Sequence, residues 1–249
     1  MTPKSITLFL AALALSTAAL AQKPTPDDAI RTDVTKLLNH KEYAGVQATV
    51  ANGIITLTGQ VPRLADKLEL DHKIPHHKDV ASLNDQITVA VPEGITDADL
   101  QRKLSRGLEY DRVGYGTTMF NSISLGVQNG VVTLVGTVVT PTDKDSALSL
   151  VAGTPGVRDI VDHLQVDPVS PNDDRIRLAE ARSIYGFPSL NKYALDPGKS
   201  IRIVVINGHV TLQGVVDNQS DSDVANLRAN SVSGVFSVSN QLQVEGAGK

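Results

Sequence analysis

Alternating apolar and polar positions recur three times along the chain, each time closed by Asn-Gly. Val46-Ala48-Val50 leads into NGIITLTGQV (Asn52 to Val61), Ile123-Leu125-Val127 into NGVVTLVGTV (Asn129 to Val138), and Ile201-Ile203-Val205 into NGHVTLQGVV (Asn207 to Val216). Asn-Gly between two β-branched alternating runs signals a two-residue type I′ hairpin, because both central residues must take positive φ. That turn fixes the register. With Asn52-Gly53, Asn129-Gly130 and Asn207-Gly208 as loops, Val50 faces Ile55, Val127 faces Val132 and Val205 faces Val210. Gly59, Gly136 and Gly214 then fall on the apolar face, opposite Val46, Ile123 and Ile201. A strand glycine there predicts close approach of another backbone, a helix by preference, or a bulge. The alternative is a glycine lining a ligand cleft.

The phrases start 77 and 78 residues apart, and a second landmark keeps the same spacing: VASLNDQITV (Val80 to Val89), VRDIVDHLQV (Val157 to Val166) and VFSVSNQLQV (Val235 to Val244). Helical spacing fills the gaps. Asp27 or Asp28 precedes Ile30, Val34, Leu37 and Leu38; Thr96 with Asp99 precedes Leu100, Leu104 and Leu108; Asp173 or Asp174 precedes Ile176, Ala179 and Ile184. Second helices are expected over Arg63 to Lys73, Thr142 to Val151 and Ser220 to Ala229, with Thr142 and Asp145 as a cap. In the first copy Leu64, Leu68 and Ile74 do not superpose on Ala147, Leu148 and Val151. The order α-β-β-α-β, with a crossover through the second helix, predicts an α+β fold: three tandem small domains, each a three-stranded mixed sheet covered by two helices. The expected domains are 22–91, 92–168 and 169–249, joined by short segments containing Pro92, Pro168 and Pro171. Units this small are individually marginal.

Residues 1–21 have the pattern of an export signal: Lys4, an apolar run from Ile6 to Leu15, and Ala19-Leu20-Ala21 at the cleavage position. An uncleaved anchor is the alternative, but the run is short for a bilayer span. The expected compartment is the periplasm. The absence of cysteine excludes disulfides, thiolate metal sites and a lipidated cysteine. A net charge of −4 without a basic run argues against nucleic acid.

The helix, the x-N-G-x-V-x-L-x-G-x-V phrase, the second helix and the G-V-x-x-V-x-[ND]-x-L-x-V run resemble the BON domain (bacterial OsmY and nodulation). The second copy carries this most fully, through Asn129-Gly130, Leu134, Gly136, Val138, Gly156-Val157, Asp162, Leu164 and Val166. The third follows through Gly234-Val235 and Asn240, and the first has Asp79-Val80 in place of Gly-Val. The resemblance implies a non-enzymatic, OsmY-like periplasmic or envelope protein without cofactors. It implies binding to phospholipid surfaces or envelope components in osmotic or envelope stress. The alternative, from a different class, is a scaffold or chaperone-like factor among periplasmic proteins that uses exposed sheet edges or the long connections.

Of the eight aromatics beyond residue 21, seven lie between the first helix and first strand of a copy: Tyr43; Tyr110, Tyr115 and Phe120; Tyr185, Phe187 and Tyr193. The longer connections of copies two and three add Arg112, Lys192 and Lys199. Rings beside cations suit headgroups or protein partners, so Tyr110, Arg112, Tyr115, Phe120, Tyr185, Phe187, Lys192 and Tyr193 are the candidate contact residues. The alternative is that the rings plug small cores or domain joints. Asp85, Asp162 and Asn240 occupy apolar strand parity and are expected to bond to backbone. His72, His76 and His77 lack a recurrent partner for metal, and Asp143, Asp145, Asp221 and Asp223 lack calcium-loop spacing.

Overall fold

The computed structural model describes residues 25–75, 78–111 and 118–246. The export segment 1–21, His76, His77, Arg112 and Tyr115 lie outside them. The first unit consists of α1 (Pro26–Leu38), β1 (Val46–Ala51), β2 (Ile54–Val61), α2 (Leu64–Lys73) and β3 (Ser82–Val89). The second repeats this as α3 (Asp97–Arg106), β4 (Ser122–Gln128), β5 (Val131–Val138), α4 (Pro141–Ala152) and β6 (Asp159–Val166). The third has α5 (Pro171–Tyr185), a short α6 (Lys192–Leu195), β7 (Arg202–Ile206), β8 (His209–Val216), α7 (Gln219–Asn230) and β9 (Ser237–Val244). The three sheets are separate. In each the middle strand pairs antiparallel with its hairpin partner and parallel with the last strand.

The Asn-Gly pairs close all three hairpins with positive φ at both residues: 54° and 73° at Asn52-Gly53, 52° and 74° at Asn129-Gly130, 51° and 77° at Asn207-Gly208. Val50 pairs with Ile55, Val127 with Val132 and Val205 with Val210. Gly59 and Gly136 do meet another backbone, but it belongs to the hairpin itself and not to a helix. A Cβ on either would overlap the carbonyl oxygen of Gly45 or Ser122, just where the partner strand begins. Gly214 is looser: a Cβ there would lie 3.0 Å from the Ser200 carbonyl, and β7 starts only at Arg202, one residue later than β1 and two later than β4 in the shared register.

Thr96 with Asp99 caps α3 as expected, while the other first-helix caps and that of α4 differ from the expected ones. Thr25 and Ser170, not the following aspartates, cap α1 and α5, and Thr140 with Asp143 forms the box that caps α4, so Thr142 and Asp145 do not. This releases one aspartate per unit for another task. Asp27 accepts from the Asn52 and Gly53 amides (both 2.8 Å), Asp97 from Asn129 and Gly130 (2.6 and 2.9 Å), and Asp173 from Asn207 and Gly208 (2.9 and 2.8 Å). Each carboxylate straps its hairpin turn to the start of the first helix through charge-assisted bonds. The signal was present: each of these aspartates stands three residues before the first core residue, Ile30, Leu100 or Ile176.

Asp85 and Asp162 each accept from the amide two residues on, at Ile87 and Leu164 (both 2.8 Å). Lys67 and Lys144 on the second helices add ion pairs at 2.9 and 2.7 Å and also donate to the Ile87 and Leu164 carbonyls. Burial opposes ionisation of Asp162, but Lys144 and the Leu164 amide outweigh it and hold the carboxyl below its usual range. In the third unit Ser222 and Asn240 replace both charged partners, bonding at 3.0 Å.

Each later unit takes in a residue from the one before. Leu64, at the start of α2, is buried in the second core with Leu100, Leu104, Val132 and Leu134, while Ile74 turns back into the first core. That explains why copy one fails to superpose there. Phe120, just ahead of β4, is buried in the third core with Ile184, Tyr193 and Ile203. Backbone seals this second joint: the Ile203 amide donates to the Met119 carbonyl at 2.7 Å. Arg177 on α5 reaches Asp167, at the end of β6, at 2.7 Å in a pair that is almost wholly buried. Exchanging residues in this way enlarges cores that would each be marginal alone.

Candidate functional site

The candidate contact residues divide by burial. Phe120, Tyr185 and Tyr193 are interior. Tyr185 donates to the Ile201 carbonyl at 2.5 Å. Tyr193 donates to Asp221 at 2.7 Å and accepts from the Asp217 amide at 2.8 Å. Tyr43 is buried in the first core. Lys192 extends over the Tyr193 ring, 5.0 Å from its centroid, and pairs with Asp217 and Asp221 at 2.6 and 2.8 Å. Its cation is therefore already occupied within the third unit. Among the described candidates, Tyr110 and Phe187 are the rings that reach solvent, and Arg228 lies over Phe187 at 5.6 Å.

Tyr110 marks the place where the two long connections converge. α3 runs on into a π turn, Gly107–Asp111, a distortion that often accompanies function. From this turn the Tyr110 hydroxyl donates to Asp196 of the third unit at 2.6 Å. Leu195 beside it is 78% exposed, and Lys199 is exposed next in the same connection. Arg106 covers the Tyr110 ring at 5.8 Å. Between Tyr110 and the exposed side of α3 runs a groove of about 580 Å³, lined by Gln101, Arg102, Ser105, Arg106 and Glu109. Burial raises the Glu109 carboxyl, with nearby Arg202 opposing that rise. The site thus sets an aromatic ring and an exposed leucine beside two arginines one helical turn apart, Arg102 in an exposed pair with Asp99 and Arg106 over the Tyr110 ring.

A second cleft, of about 670 Å³, lies between the open faces of the second and third sheets. Ser122, Ser124, Ser200, Arg202, Gln213 and Gln243 line part of it, and no histidine or cysteine is among its lining residues. Arg202 is held there by donating to the Thr118 and Pro197 carbonyls at 2.5 and 3.1 Å. Among the described residues no group of three acidic or histidine side chains is placed to hold a metal ion, and no helix is long and apolar enough to cross a membrane.

Three mixed sheets, each with its hairpin strapped to a helix and its last strand returned by a second helix, define a tandem array of small α+β modules. The chain belongs to the BON domain family, whose profile matches residues 26–90, 96–168 and 189–246. It is similar to Osmotically-inducible protein Y of Escherichia coli (strain K12), 28% identical over 124 residues. That stretch is 49% of this chain and 62% of the relative, so the chain spans under two thirds of that protein's length. Among solved structures, the C-terminal domain of CdsD, a structural protein of the type III secretion system of Chlamydia trachomatis, is 18% identical, covering 86% of this chain and 96% of that one at a TM-score of 0.24. A second CdsD structure is 16% identical, covering 87% and 92%, also at 0.24. Overlaps this loose carry no argument about this chain.

Proposed function

We propose that this protein is a non-enzymatic, exported envelope protein that associates with anionic phospholipid surfaces in the periplasm. The supporting observation is the convergence at Tyr110 and Asp196: one ring, an exposed Leu195, the groove between Arg102 and Arg106, and Lys199 lie together at the joint of two domains. The arginines supply charge for a phosphate headgroup, and Tyr110 and Leu195 supply apolar surface for the interface beneath it. The BON family and the export pattern of residues 1–21 support the compartment.

Co-sedimentation with phosphatidylglycerol vesicles tests this reading. The full chain is expected to bind at low salt and to release as salt rises. Arg102→Glu with Arg106→Glu is expected to weaken partitioning at least about tenfold, since each basic residue near an anionic surface contributes about 1 kcal/mol. Binding that ignores both salt and these changes refutes the proposal.

A second reading, a scaffold or chaperone-like factor for envelope proteins, is favoured by apolar side chains the third domain leaves in solvent: Leu227 is 69% and Phe236 76% exposed. Capture of a protein client without lipid, lost on Phe236→Ser, is the outcome that would prefer it.

A further inference from the structure

The first helices of the three units share one core stripe: Ile30, Val34 and Leu38 in α1, Leu100 and Leu104 in α3 with Leu108 in the π turn that continues it, and Ile176, Glu180 and Ile184 in α5. Where two copies have Val34 and Leu104, the third has a glutamate. Glu180 is not turned out to solvent. Its side chain is fully buried, and neither carboxylate oxygen has a hydrogen-bond partner. A carboxyl in that setting is strongly disfavoured as an anion, because burial without a partner penalises the charged form.

The charged groups on the elements packed against α5 bond elsewhere, and among the described residues the one buried donor without a partner there is the Arg177 Nε, which makes no bond to Glu180. On α5 itself, Arg177 donates to Asp167, Asp174 and the Val205 carbonyl. From α7, Arg228 donates to the Ser183 carbonyl and Asp221 takes Lys192 and Tyr193. From α6, Lys192 is held by Asp217 and Asp221. On β7, Arg202 is turned to Thr118 and Pro197, and the Tyr185 hydroxyl goes to Ile201. Desolvation is the one cause acting on Glu180, and it pushes the carboxyl up to about 8.

We propose that Glu180 makes the third domain a proton-gated module: protonated, it stays closed over Phe120, Tyr185 and Tyr193, and ionised, it opens and exposes those rings while the first two domains stay folded. The geometry gives the consequence as well as the trigger, because α5 covers the same core that takes in Phe120 from the second unit. Opening therefore also frees the joint between the second and third domains. The folded-state value lies above that of an unfolded glutamate, 4.5. The protonated form's stabilising contribution is therefore complete below that lower value and is lost as pH rises toward about 8.

The test is urea unfolding of the full chain, followed by amide resonances resolved for each domain, from about pH 5 to about pH 8. One proton linked to opening changes its equilibrium constant about tenfold per pH unit. The third domain's opening is expected to rise by about that factor with each pH unit across this range, several hundredfold in all, relative to the second domain, whose Leu104 serves as an internal reference. Glu180→Leu, which installs the residue of the second copy, is expected to remove the pH dependence and to stabilise the domain near pH 8. Glu180→Gln keeps the shape without the charge and is expected to remove the pH dependence alone, which keeps the test decisive if the leucine packs badly. A third domain whose opening follows the same pH profile in the wild type and in Glu180→Gln overturns the proposal.

Discussion

Gly136→Ala is expected to unfold the second domain. Gly136 sits at φ 140°, in the region that side chains avoid, and an added Cβ would overlap the backbone carbonyl of Ser122. A carbonyl fixed in a hairpin cannot swing aside as a flexible side chain would. Strain and overlap together are expected to cost at least about 4 kcal/mol. A domain of this size has roughly 4–11 kcal/mol in total, at 0.05–0.15 kcal/mol per residue. Gly59→Ala should do the same to the first domain, whereas Gly214→Ala, with 3.0 Å of clearance, should be milder. Domain-resolved urea unfolding checks the ordering. Gly136→Ala no worse than Gly214→Ala would mean that the hairpin entry is not as tight as described.

Tyr193→Ser is expected to be nearly as damaging to the third domain, although the sequence places Tyr193 among surface candidates. Deleting a buried ring costs about 3–5 kcal/mol. Loss of the hydroxyl leaves the Asp217 amide and one bond to Asp221 unmade, for about 1–3 kcal/mol more. Tyr193→Phe isolates that second part. Phe187→Ser, at a ring 36% exposed, is expected to change stability little. Thermal unfolding separates these outcomes. If Tyr193→Ser left stability unchanged and removed vesicle binding, the ring would belong to the contact surface after all.

The hairpins and their register were legible because Asn-Gly and strand alternation are local signals, read from ten consecutive residues. The strapping aspartates were harder. Asp27, Asp97 and Asp173 resemble ordinary helix-start acids, and only their shared offset from Ile30, Leu100 and Ile176 marks a separate role. Leu64 was illegible for a different reason. A residue that crosses into the next domain obeys the periodicity of neither unit, so its failure to superpose was the sole trace it left in the sequence. Phe120 left more, because a ring in a long connection suggests a plug for a core or a domain joint. The contact site was partly legible: aromatics in long connections pointed to the right region, but composition cannot tell Tyr110, bonded across a joint, from Tyr193, packed inside it. Arg102 and Arg106 carry no comparable mark in the sequence, because they lie on a helix face and not in the connections themselves.

Residue-resolved line broadening, as phosphatidylglycerol vesicles are added to the isotopically labelled full chain, is the most direct measurement of where the protein meets a membrane. The predicted result is attenuation centred on Arg102, Arg106, Tyr110 and Leu195, fading as salt is raised, with the first domain unaffected. Attenuation centred on the first domain or on the open sheet faces, or none at all, would contradict it.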